Sequence, residues 1–188
     1  MKGLHIDKDH FMTISPDEGS MNRAIYLANV LGVDMGMYYK RLDYSRYVNG
    51  RHPIAAYEFL GPKIEGKDMI LIDDMISSGD TIIKIASLLK EKGAGRVYIC
   101  STFGFFTDGL DKFDDAYKKG YFDKLLTTNL VYQSPELLEK PYYISCDMSK
   151  YIALIIDTLN HDTSVSHLLN PVDRIKRCVT NYMSQHEK

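Results

Sequence analysis

The chain has 188 residues, 45% of them apolar and 26% charged, with a formal net charge of −2. That length can bury a core without metal or disulfide staples, and the near-neutral balance gives no basic field to hold nucleic acid. No apolar run approaches the roughly 18–20 residues of a membrane span.

The N-terminal MKGLHIDKDHF has no apolar h-region and so no visible secretory signal. Three widely spaced cysteines, Cys100, Cys146 and Cys178, fit neither a disulfide framework nor a metal motif, so reduced thiols and a cytoplasmic location are expected. Phe11–Ser15 (FMTIS) predicts a short strand, and SPDEGS a turn. Ser20 stands where an N-cap would accept from the free N–H groups of the next helix. Ala24, Leu27, Ala28 and Leu31 recur on one helical face, and Gly32 stops the helix. Val33–Tyr39 predicts a second strand. Tyr39–Pro53, YKRLDYSRYVNGRHP, is polar and without period and predicts an exposed mobile loop. Met69–Ile72 then reads as an unalternating strand buried on both faces.

Thr81–Lys92 sets Ile82, Ile85, Ala86 and Leu89 at helical spacing and closes at Gly93. Val97–Thr102 predicts a strand, Asp111–Lys119 a charged helix, and Lys124–Thr127 and Tyr142–Ser145 two further strands. Ser149–Leu159 predicts a helix with Ile152, Ile155, Ile156 and Leu159 on one face. Alternating strands and helices predict an α/β fold, a parallel sheet flanked by helices on both faces. The expected organisation is one domain over residues 1–170 and a helical tail over 171–188.

The chemistry concentrates in ILIDDMISSGDT, Ile70 to Thr81. Ligands of such folds gather at the carboxyl ends of strands, and a helix start offers unpaired N–H groups and partial positive charge to a phosphate. Ser77, Ser78, Gly79, Asp80 and Thr81 can wrap a phosphate monoester with amides and hydroxyls, Gly79 allowing close backbone approach. Asp73 and Asp74 then lie within reach of vicinal sugar hydroxyls, or of a magnesium ion bridging to them. The alternative for these residues is a strand ending in an Asp–Asp turn before a serine-capped helix. A Walker-type loop is excluded, since the GxxxxGK spacing is absent. The six histidines are scattered without metal spacing.

ILIDDMISSGDT resembles the 5-phosphoribosyl-binding loop of type I phosphoribosyltransferase folds, and more closely that of ribose-phosphate pyrophosphokinase (phosphoribosyl pyrophosphate, PRPP, synthetase). ISPDEGSMNRA, EGKDMILIDDM, KEKGAGRVYICSTFGFFTDG, LLTTN and CDMSKYIALIIDTLNHDTSVSHLL resemble further segments of that family in the same order, covering about Thr13 to Leu169. The resemblance implies diphosphoryl transfer from ATP to the C1 hydroxyl of ribose 5-phosphate, with magnesium. It implies ribose hydroxyls or metal on Asp73 and Asp74, and the 5-phosphate on Ser77 to Thr81. It also implies a metal near the ATP phosphates on Asp17, and catalytic cations at Lys40 and Arg41. A helix-capping turn acid at Asp17 and a solvated pair at Lys40 and Arg41 are the bland alternatives.

Three departures qualify the resemblance. It covers only the C-terminal half of the family's two-halved enzymes, so a homo-oligomer or a complementary synthetase half is the expected partner. Leu42 stands where many relatives carry a second basic residue. Ser77 and Asp80 replace an aspartate and a glycine of many relatives, and Asp80 puts a negative charge beside the proposed phosphate. A non-catalytic assembly subunit and a stand-alone phosphoribosyltransferase are the other readings of the same residues.

Overall fold

The computed structural model describes residues 4–47, 50 and 54–186. Strands β1 (Phe11–Ser15), β2 (Asp34–Leu42), β3 (Ile54–Leu60), β4 (Asp68–Ile76), β5 (Val97–Gly104), β6 (Lys124–Thr128) and β7 (Tyr143–Cys146) form one sheet. Their order is β3-β2-β1-β4-β5-β6-β7. All neighbours are parallel except β3, which runs antiparallel to β2. The helices are α1 (Met21–Leu31), α2 (Asp80–Glu91), α3 (Asp111–Lys118), α4 (Pro135–Leu138), α5 (Ser149–Asn160), α6 (Ser166–Leu169) and α7 (Val172–His186). Among the described residues, no helix is long and apolar enough to cross a membrane.

The helices occupy both faces because the central strands are apolar on both. Met12, Ile14, Leu71, Ile99 and Leu125 join Ile82, Ile85 and Leu89 of α2 and Phe113 of α3 in the larger core. Phe11 and Tyr98 face the other way, with Ala28 of α1 and Val33. Helix α7 packs against α1, and its Tyr182 hydroxyl accepts from the Leu4 amide at 3.1 Å.

The sheet corrects one expectation. Tyr39–Pro53 is not a loop from its start: Lys40, Arg41 and Leu42 continue β2 and pair with Tyr57, Ala56 and Ile54 of β3. Residues 48–49 and 51–53 of the expected loop lie outside the described residues. Strand β3 was not expected at all. Its sequence, IAAYEFL, is apolar at all but Glu58 and shows no polar–apolar alternation, and its place in the sheet is set by backbone pairing with β2. It makes the sheet mixed, although its other strands are parallel.

Among the described residues, one buried side-chain polar group is unsatisfied. Tyr38 is fully buried against Phe59, with ring centroids 5.3 Å apart, and its hydroxyl has no hydrogen-bond partner. Burial pushes that phenol well above its ordinary pKa. A buried donor without a partner costs about 1–3 kcal/mol. Tyr38→Phe is therefore expected to leave the fold intact and raise stability by about 1 kcal/mol in chemical denaturation, with an unchanged denaturant slope.

The chain leaves β1 toward β2 on one side and returns to β4 on the other, so the topological switch lies between the carboxyl ends of β1 and β4. Pairing of β1 with β4 ends at Ile14 and Leu71, whereas β4 continues along β5 as far as Ile76 and Gly104. The overhang leaves a notch beside Asp73–Ile76, at the place where open α/β sheets bind ligands.

Candidate functional site

The turn after β1 folds into this notch. Asp17 Oδ1 accepts from the Gly19 and Ser20 amides at 3.0 and 3.3 Å, the Asx-type turn expected of an aspartate before a glycine. Its Oδ2 accepts from Lys40 Nζ at 3.1 Å. Asp17 thus does the turn work assigned to it by the bland reading, and still presents a carboxylate to the notch. Lys40 arrives from β2 and lines with Asp17, Tyr39, Leu42 and Tyr44 a cavity of about 450 Å³.

Arg41 is not on that wall. The Arg41 guanidinium pairs instead with Glu58 of β3 at 3.2 Å. Leu42, two residues from Lys40, shares the cavity instead.

Asp73 and Asp74 lie within β4, past the end of β1. Asp73 Oδ1 accepts from the Ser20 hydroxyl at 2.6 Å and from the Asp74 amide at 2.9 Å. Ser20 therefore holds the N-cap position, but its side chain does not make the expected cap bond. Its backbone is already helical (φ −96°, ψ 0°), so the hydroxyl is not aimed at the first turn and crosses the notch to Asp73. Burial pushes the Asp73 carboxyl above its usual range, against the Ser20 and Asp74 hydrogen bonds, and the nearby Asp74 and Asp17 carboxylates add to the rise. Asp74 Oδ1 accepts from the Met75 amide at 2.9 Å, and Arg23 of α1 reaches its Oδ2 at 3.5 Å.

Helix α2 starts at the far wall. Its N-cap, Gly79, is left-handed (φ 85°) and supplies no side chain to the first turn. Of the opening N–H groups, that of Asp80 meets the Ser78 hydroxyl at 3.4 Å, while those of Thr81 and Ile82 have no intrahelical acceptor and are left to a ligand. Gly79 is also pinned from behind: a Cβ there would lie 2.2 Å from the Phe113 ring, and Phe113 is fully buried. The loop is tied to the turn after β5, with Thr107 N donating to Ser77 O at 3.1 Å and the two hydroxyls 3.4 Å apart. Asp17, Asp73 and Ser77 to Thr81 line one cavity of about 150 Å³.

Asp80 lines that cavity but turns its carboxylate toward α3. Oδ1 accepts from Lys112 Nζ at 2.8 Å and Oδ2 from the Ser78 hydroxyl at 3.0 Å. The Lys112 bond, then the Ser78 bond, hold the Asp80 carboxyl below its usual range. Phe106 sits edge-on to Phe113 at 5.2 Å as part of the packing, while Phe105 remains half exposed at the lip.

Asp17, Asp73 and the Ser77–Thr81 turn thus share one cavity and Lys40 lines the neighbouring one with Asp17, while Asp74, beside Arg23, and Arg41, beside Glu58, line neither. Sequence reasoning missed Ser20, Arg23, Thr107, Lys112 and Phe113. Only Arg23 carried a local signal, since it stands three positions after Ser20 on a helix that begins at the notch.

Among the described residues, no three His, Cys, Asp or Glu side chains are grouped as a protein-only metal cage. The donors present are hard carboxylate oxygens, with Asp73 raised above its usual range chiefly by burial and further by Asp74 and Asp17. They fit magnesium, which keeps several waters and takes one or two carboxylates plus phosphate oxygens.

Comparison with known proteins agrees with this fold. The family model of the phosphoribosyl synthetase-associated domain matches residues 51–170. Ribose-phosphate pyrophosphokinase of Vibrio parahaemolyticus is 29% identical over 163 residues, covering 86% of this chain and 49% of that protein. The Thermococcus kodakarensis protein of the same name is 31% identical over 121 residues, covering 64% of this chain and 39% of its own. The chain spans about half the length of the curated relatives it matches. The crystal structure of phosphoribosylpyrophosphate synthetase from Mycobacterium smegmatis superimposes with a TM-score of 0.67 at 24% identity, covering 81% of this chain and 45% of that one. It shares the fold.

Proposed function

We propose that this chain, which belongs to the phosphoribosyl synthetase-associated domain family, binds ribose 5-phosphate with magnesium and serves diphosphoryl transfer from ATP to the C1 hydroxyl, giving PRPP and AMP. The observation that carries the reading is the shared cavity at the switch point. There a helix start whose N-cap is a left-handed glycine faces a half-buried aspartate of the overhanging strand. Phosphate and vicinal hydroxyls are the two chemistries that such a pairing serves together.

In this reading the amides and hydroxyls of Ser77, Ser78, Asp80 and Thr81 hold the 5-phosphate, and Gly79 lets the backbone close on it. Asp73 and Asp74 accept from the ribose hydroxyls. Ser20 and Arg23 fix the two carboxylates, so that few rotamers are lost on binding. Asp17 and Asp73 are the oxygen donors that would hold magnesium. When bound, the ion neutralises phosphoryl oxygens. Lys40, released from Asp17, brings a cation toward the neighbouring cavity, where the ATP phosphates would lie. Phosphoryl transfer depends mainly on such alignment and charge neutralisation.

Leu42 gives the second reading its footing. An apolar side chain occupies the wall position from which another cation could act, so a non-catalytic assembly partner of a complete synthetase remains the rival. The α5 face, where Ile156 and Leu159 are 54% and 60% exposed, offers such a contact its apolar surface. AMP release from ATP, magnesium and ribose 5-phosphate separates the readings. The expected result is sugar-dependent AMP release that rises when a complementary N-terminal synthetase half is added. Saturable ribose 5-phosphate binding with no AMP in either condition would overturn the transfer role and leave the assembly role.

A further inference from the structure

Asp80 is the anomaly of the cradle. A carboxylate at the first position of α2 complements the helix dipole, but it competes for the same field with a bound phosphate. The structure resolves the conflict through α3. Lys112 Nζ lies 2.8 Å from Asp80 Oδ1 and is anchored from its other side by Asp108 Oδ2 at 2.9 Å. The next residue, Phe113, fills the space behind Gly79. Two consecutive residues of α3 therefore back two consecutive residues of the cradle, one by packing and one by charge.

We propose that Lys112 is a positioning residue for the phosphate cradle: with Asp108 it holds the Asp80 carboxylate turned away, so that the loop meets a phosphate dianion without a facing negative charge. This rests on the sugar-phosphate reading of the same site. The bland alternative is an exposed ion pair that contributes little beyond fold stability. Lys112 is 41% exposed and the Asp80 side chain 67% exposed, a setting in which such pairs stabilise by only about 0–1 kcal/mol. A purely structural pair predicts small changes in melting temperature and none in anion affinity. The positioning role predicts the reverse.

The test is a double-mutant cycle read as ribose 5-phosphate affinity, by isothermal titration with magnesium at low salt. Freeing a carboxylate about 6 Å from a dianion in near-aqueous surroundings weakens binding about tenfold, so Lys112→Met is expected to lose roughly that factor. Asp80→Asn keeps the backbone amide that would meet the phosphate, removes the charge itself, and is expected to bind about threefold tighter than the wild type. In the Asp80→Asn background, adding Lys112→Met should change affinity less than about twofold. Lys112→Arg, which keeps the cation, should stay near the wild type. The Lys112→Met loss should shrink at high salt, since both charges are exposed.

Wild-type affinity in Lys112→Met, or a full loss persisting in the Asp80→Asn background, would overturn the positioning role and leave the sugar-phosphate reading standing. If the wild type gives no saturable heat with ribose 5-phosphate, that reading falls, and the cycle is repeated with inorganic phosphate. Phosphate binding that still depends on Lys112 only when Asp80 is present would uphold the positioning role alone. No binding of either anion would overturn both.

Discussion

Gly79→Ala is expected to destabilise the protein by about 4 kcal/mol, the sum of roughly 1–2 kcal/mol for a left-handed alanine and 1–3 kcal/mol for overpacking. The backbone stands at φ 85°, and the added methyl would sit 2.2 Å from the ring of a fully buried Phe113. Neither can yield alone. Turning the residue to a right-handed conformation moves the start of α2, and moving the ring disturbs its edge contact with Phe106. Thermal melting should show a fall of about 8–15 °C for a chain of this size. Gly79→Ala combined with Phe113→Leu removes the clash and keeps the backbone strain, so it should recover part of the loss while ribose 5-phosphate binding stays impaired. A fall of under about 3 °C in the single variant would mean that the loop is not pinned by α3.

Asp73→Asn is expected to weaken ribose 5-phosphate binding about 100-fold, as two hydrogen bonds to a charged acceptor become bonds to a neutral amide at about 1.5 kcal/mol each. The apo protein should respond oppositely. An asparagine oxygen still accepts from Ser20 and from the Asp74 amide, while the crowding of Asp73 against Asp74 and Asp17 is relieved. Because the folded protein holds the Asp73 proton more tightly than the unfolded chain does, wild-type stability falls as pH rises from the ordinary carboxylate range through the elevated Asp73 value. Asp73→Asn should remove that part of the fall and melt about 2–4 °C higher at pH 8, for about 1 kcal/mol of relieved repulsion. Loss of binding with a gain in stability is the signature of a ligand site; loss of both would mark Asp73 as a structural residue.

What could be read in the amino-acid order was whatever is encoded over one strand and one helix turn. Strand β1 falls at Phe11–Ser15 as expected, and the start of α2 at Asp80 lies one residue from the expected Thr81. Both are marked by an apolar run ending in small polar residues. The position of the carboxylate pair at a strand end, and of the turn proposed to bind phosphate before a helix, was legible for the same reason, since ILIDDMISSGDT contains the strand end, the turn and the helix start in twelve residues. The misreading of Ser20 shows where local rules stop. A serine before a helix signals a cap, but Asp73, 53 positions away, takes its hydroxyl. Lys112 and Phe113 reach the cradle from more than 30 residues away, through the packing of α3 on α2. No period of 2 or 3.6 encodes such a contact. Lys40 and Arg41 were paired as catalytic cations by the resemblance, on a segment expected to be a loop; the strand separates them, one toward Asp17 and one toward Glu58.

A crystal structure of the chain soaked with ribose 5-phosphate and magnesium tests the central claim most directly. The expected density places the phosphate within hydrogen-bond reach of the Ser78–Thr81 amides and hydroxyls, and the ribose hydroxyls on Asp73 and Asp74. A sugar phosphate seated elsewhere, or an empty notch at saturating ligand, would contradict the account.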